Sequence, residues 1–131
     1  MPCLEISMPA RDSKTRHLLV KELTETLANI TGFPKESFGI RFLEYNFGEA
    51  ANEGVIWDGR TGKPYIYIVL RIPELAAGIK ADLIRDLTGV FVDCLKKPDW
   101  QPVIFINEYP VNNVGYDGLS IGQHKQNDET P

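Results

Sequence analysis

The residue whose type and place could do unusual chemistry is Pro2, in the opening stretch MPCLEI. If Met1 is removed, Pro2 becomes a free N-terminal secondary amine, a nucleophile or base that no internal residue can provide. The same residue has a structural reading. Proline cannot donate to a sheet ladder, so a strand start is one of the few strand positions it tolerates. Other reactive patterns are missing. Cys3 and Cys94 make neither a disulfide framework nor a CxxC or Cys/His cluster. His17 and His124 lie far apart and read as ordinary surface histidines. No metal site and no cofactor are expected.

Composition narrows the setting for that amine. A chain of 131 residues implies one domain, large enough for a core without staples. It carries 14 basic and 18 acidic side chains, a net charge of -4, and no basic block. Nucleic acid is therefore not an expected partner. No apolar run reaches membrane length, and the N-terminus lacks a charged segment followed by an apolar one. The expectation is a cytoplasmic protein with no membrane contact. One domain over residues 1–122 is expected, with the polar residues 123–131 as a disordered tail.

The elements that must position Pro2 emerge from a repeat. At an offset of 64 residues, without a gap, Pro9 falls on Pro73, Leu19 on Leu83 and Leu23 on Leu87. Thr24 falls on Thr88, Pro34 on Pro98, Ile40 on Ile104, Glu44 on Glu108 and Tyr45 on Tyr109. Such self-similarity outranks the reading of any single element. The two units span residues 2–46 and 65–110.

Each unit reads strand, helix, strand. CLEISM alternates, with Leu4, Ile6 and Met8 on one face and Glu5 and Ser7 on the other. A helix follows, with Ser13 as its predicted N-cap and Leu19, Leu23, Leu27 and Ile30 as its apolar stripe. Gly32 caps its end and Pro34 lies beyond. FGIRFLEY is the second strand. The second unit copies this with YIYIVLRI, a helix carrying Ile79, Leu83, Leu87, Val90 and Phe91, and VIFINEY. Asp58-Gly59 marks a turn before the third strand.

Two βαβ units, each with parallel strands and a right-handed crossover, give an α+β two-layer sandwich. Its four-stranded mixed sheet carries both helices on one face. YIYIVL and VIFI are apolar at nearly every position, which signals burial on both faces. Helices cover only one, so a second copy of the chain in a closed ring is the expected cover for the other.

Three stretches resemble the tautomerase superfamily. MPCLEISMPARDS is similar to the family's start, with an arginine just after the first strand. LANITGFPKESFGIRF resembles the helix end and second strand of the macrophage migration inhibitory factor branch. VIFINEYPVNNVGYDGLSIG resembles that branch's last strand and following turn, with Tyr116 in place of a tryptophan. The length, and the apolar strand closed by Arg71, also resemble the cis-3-chloroacrylic acid dehalogenase and malonate semialdehyde decarboxylase branches.

The resemblance implies a homotrimer that isomerises a small enol or 2-oxo acid through Pro2. A neutral Pro2 amine would take a proton from a carbon next to a carbonyl and return it elsewhere. Arg71 and Arg11 would bind the substrate carboxylate, and Arg41 could replace an arginine that relatives carry where this chain has Gly39. Phe105 and Tyr116, with Tyr109, would line an apolar wall. Several departures stand against this. Ile72, Pro73 and Glu74 replace a second arginine, Phe33 replaces a lysine with Lys35 nearby, and Tyr116 and Ser37 replace the acids that orient water. Glu36 beside Ser37 reads as a surface carboxylate. The alternative is an interaction protein that keeps the fold without the chemistry.

Overall fold

The computed structural model describes residues 2–129; the removal of Met1 lies outside the described residues. The chain runs β1 (Cys3–Pro9), α1 (Ser13–Thr31), a 3-10 turn (Lys35–Ser37), β2 (Gly39–Tyr45), β3 (Ala51–Asn52) and β4 (Val55–Ile56). It continues through β5 (Tyr67–Pro73), α2 (Ala77–Leu95), β6 (Val103–Tyr109), β7 (Gly115–Tyr116), β8 (Leu119–Ser120) and α3 (Ile121–Glu129). The four long strands and two long helices obey the 64-residue offset at both ends of every element.

The main sheet has the order β2-β1-β5-β6. β1 is parallel to β2, β5 is parallel to β6, and the two units join through an antiparallel β1–β5 pair. The expected mixed sheet is therefore present. Leu4, Ile6 and Met8 of β1 and Ile68, Leu70 and Ile72 of β5 are fully buried under α1 and α2. The helices contribute Leu19, Leu23 and Leu27, then Leu83, Leu87 and Phe91, at helical spacing. Each such buried side chain stabilises the fold by about 1.5–3 kcal/mol.

Alternation along the strands sends the other side chains to the face away from the helices. Three rows cross that face. Gly39, Cys3, Arg71 and Asn107 form the first, and Arg41, Glu5, Val69 and Phe105 the second. Leu43, Ser7, Tyr67 and Val103 form the third. Among the described residues no element covers it: Phe105 is 46% exposed and Val103 43%.

Some local expectations are corrected. The α1 N-cap is Asp12, not Ser13: its Oδ1 accepts from the Thr15 N–H at 2.8 Å. Ser13 lies one residue inside, where its carbonyl and hydroxyl meet His17 Nδ1. Gly32 ends α1 in the left-handed region, as expected (φ 78°). Asp58 forms its turn by accepting from the N–H groups of Arg60 and Thr61, which holds its carboxyl below the usual range. The join also folds into a β3–β4 hairpin that its composition did not suggest. Residues 121–129, almost all within the stretch read as a disordered tail, form α3. The cause is a capping box: the Gln123 side chain accepts from the Ser120 N–H at 2.9 Å, and the Gln123 N–H donates to Ser120 Oγ at 3.1 Å.

Candidate active site at the start of strand β1

Pro2 is buried at the head of β1. Its carbonyl accepts from the Gly39 N–H at 3.0 Å, which fixes it against the start of β2. On its other side the antiparallel register sets Cys3 opposite Arg71. Fold and register thus bring Pro2 and Arg71, near the end of β5, to one end of the sheet. Tyr109, at the end of β6, lies at this same end, and burial pushes its hydroxyl above its ordinary range.

Arg71 is not a free cation. Its Nη1 donates to Glu5 Oε1 in an ion pair. Glu5 lies opposite Val69, two residues from Arg71 on the same face, which is the diagonal reach of a cross-strand pair. The hydrogen bond to Glu5, then its charge, raises the Arg71 guanidinium further above an already high value. Glu5 escapes a sequence reading because a lone polar residue in an alternating strand reads as solvent-facing. Arg41 is exposed and sits opposite Glu5 from the other side. Two arginines therefore flank one carboxylate.

Arg11 is elsewhere. It follows the far end of β1, with its guanidinium carbon 4.4 Å from the centre of the Trp100 ring. A strand of seven residues separates it from Pro2, roughly 20 Å of rise. Within the protomer it cannot share a substrate with Pro2, and that expectation is corrected for the single chain. Phe105 stands mid-face, edge-on to Tyr67 with ring centres 6.4 Å apart. Tyr116 lies in the β7–β8 hairpin and stacks on His124 at 4.0 Å. His124 also meets the Tyr116 carbonyl at 2.9 Å, so it is part of a local clasp rather than a bare surface group. Lys35 pairs with Glu25 at 3.9 Å, and the Ser37 hydroxyl donates to the Pro34 carbonyl. Among the described residues no cluster of His, Cys, Asp and Glu suited to a metal occurs.

Residues 64–124 match the tautomerase enzyme family. In fold the chain is similar to a native fused 4-OT, with a TM-score of 0.84, 20% identity, and 92% of this chain covering 97% of that one. The family match covers the second unit and the hairpin after it, and the whole chain shares the fold of these proteins. A wild-type fused 4-OT solved as an asymmetric trimer gives a TM-score of 0.82 at 19% identity, over 94% of this chain and 98% of that one. A member of the cis-3-chloroacrylic acid dehalogenase family gives 0.76 at 20% identity, over 98% of this chain and 92% of that one. No curated protein matches the sequence. The chain has the fused, duplicated form of the tautomerase fold. Among the described residues no helix is long and apolar enough to cross a membrane.

Proposed function

We propose that this chain is a tautomerase superfamily member, a small cytoplasmic keto–enol isomerase that uses Pro2 as its base after loss of Met1. The observation that carries the reading is the placement of Pro2, buried at the head of β1, next to Cys3, which faces Arg71 across the β1–β5 pair. An α-amino group titrates near about 7.7–8.0, and burial next to a cation lowers that further. The amine is then neutral near neutral pH and able to abstract a proton α to a carbonyl. Arg71, supported by Arg41, holds the carboxylate of a small 2-oxo or enol acid and stabilises the enolate. Substrate has to compete with Glu5 for Arg71, because that ion pair occupies the guanidinium. Three copies in a ring would cover the open sheet face, and a fused 4-OT of similar fold is a trimer.

The Glu5–Arg71 pair also favours a second reading, a protein that retains the fold with its anion site neutralised from within. One experiment separates the two. Intact mass establishes whether Met1 is gone, and the processed protein is assayed on a panel of enol and unsaturated acids beside Pro2→Ala. Enol ketonisation that Pro2→Ala abolishes supports the isomerase. Equal rates for the two proteins leave Pro2 as a strand start.

A further inference from the structure

We propose that the opposite end of the sheet holds a second, non-catalytic site for a small planar carboxylate. The 64-residue offset relates the two ends, so Ile66 takes the place of Pro2, Ser7 that of Arg71, and Arg11 that of Leu75. Ile66 is buried at 2% exposure, with its carbonyl accepting from Val103. At this end, where β1 and β2 finish, opens a cleft of about 350 Å³ lined by Arg11, Tyr45, Phe47, Trp57, Lys97 and Trp100. That volume is at the small end of ligand sites.

The cleft joins charge to flat apolar surface. The guanidinium of Arg11 and the ammonium of Lys97 both stand over the Trp100 ring, at 4.4 and 5.3 Å from its centre. Neither makes an ion pair among the described residues. The nearby carboxylate of Glu44 is already engaged: Oε2 accepts from the Arg11 N–H at 2.7 Å and Oε1 from Arg16 at 2.8 Å. Two like charges thus converge on one ring without an anion between them, an arrangement that an incoming carboxylate would complete.

The walls are set in advance. Trp57 is 9% exposed and stands at right angles to both Trp100 and Tyr45, at 6.3 and 5.8 Å. The Trp57 backbone amide donates to the Ala50 carbonyl, and the Trp100 backbone amide to the Lys97 carbonyl. Burial, with Tyr67 nearby, pushes the Tyr45 hydroxyl up to about 12, so it stays a neutral wall that donates to the Tyr65 carbonyl. A conjugated or aromatic acid can lay its plane against the indoles while its carboxylate meets Arg11 and Lys97. The geometry offers no base, so the ligand is held rather than converted.

The chain has two tryptophans and both line this cleft, so their indole N–H signals report on it alone. Cinnamate is titrated into the ¹⁵N-labelled full chain. Both indole signals are expected to shift and saturate, and cinnamamide is expected to move neither. The double variant Arg11→Gln, Lys97→Gln should weaken cinnamate about tenfold or more. Lys97→Gln alone, at an exposed lysine, should weaken it severalfold if the double variant does not fold. Pro2→Ala and Arg71→Ala should leave the shifts unchanged, which separates this site from the proposed active site. Absence of a shift, equal shifts with cinnamamide, indifference to the loss of Lys97, or dependence on Arg71 would each overturn the proposal.

Discussion

Glu44 and Glu108, 64 residues apart, make the same two bonds at opposite ends of the sheet. Glu44 accepts from the Arg11 N–H at 2.7 Å and from the Arg16 side chain at 2.8 Å. Glu108 accepts from the Leu75 N–H at 2.7 Å and from Lys80 Nζ at 2.6 Å. Each carboxylate ties the loop after one parallel strand, and the first turns of the following helix, to the neighbouring strand. The duplication has preserved a tertiary clasp whose cationic member changed from Arg to Lys.

Acid should loosen the second clasp. The Leu75 N–H first, then Lys80, hold the Glu108 carboxyl below its ordinary range. Because the folded value lies below the unfolded one, the clasp contributes fully above the unfolded value and is lost as pH falls through the folded value. Melting temperature measured from about pH 6 down to pH 3 should fall less steeply for Glu108→Gln than for wild type. Parallel curves would remove Glu108 from the acid response.

The two helices differ at their caps, and the better solutions should transfer. Asp12 caps α1, while Ala76, its counterpart, has no side-chain bond although its backbone is equally extended. Ala76→Asp should stabilise the protein by about 1 kcal/mol. Lys96, the counterpart of Gly32, holds the left-handed region at φ 55°. Lys96→Gly should add up to about 1 kcal/mol by relieving that conformation. Urea midpoints with unchanged slopes would confirm both, and a lower midpoint for Ala76→Asp would show that residue 79 cannot serve as its donor.

Releasing Arg71 should help catalysis if the isomerase reading holds. Glu5→Gln removes the competing carboxylate, and KM for a small enol acid should fall about two- to fivefold, the range for a half-exposed ion pair. Arg71→Ala should raise KM and lower kcat, about tenfold or more in kcat/KM. A Glu5→Gln enzyme slower than wild type would show that Glu5 itself takes part in the reaction.

Assembly should depend on the open sheet face. Tyr65, Tyr67 and Phe105 form an aromatic run there, with ring centres 5.9 and 6.4 Å apart. A patch of this kind is a signature of an interface. Light scattering should give a trimer for wild type and a smaller species for Phe105→Asp. A wild-type monomer at micromolar concentration would refute the ring.

The sequence was most legible where two signals coincided. The four long strands could be placed because alternation in CLEISM, the apolar runs of the second unit and the 64-residue offset agreed, and VIFINEY matches β6 end to end. Single signals did worse. Ser13 and Asp12 are both good caps one residue apart, and only the backbone decides which oxygen reaches the Thr15 N–H. α3 has no apolar stripe, so its capping box stood without periodicity to support it. In the site, Pro2 and Arg71 were readable as chemistry at strand ends. Their placement at one end of the sheet needed the antiparallel β1–β5 register, and Glu5 needed the diagonal contact that register creates. Trp57 and Trp100 come from separate loops, and no local pattern links them.

The burial of Ile66 has a further consequence. In a chain made of two joined units, the nitrogen of residue 66 is acylated by the residue before it. An amide nitrogen is not basic, so no substitution at position 66 could make that end a proton acceptor of the kind proposed for Pro2. Covalent joining therefore halves the number of termini per unit and frees the second position from any chemical duty. An isoleucine can serve there as packing, and the surroundings of that end are left open to drift toward a different kind of recognition.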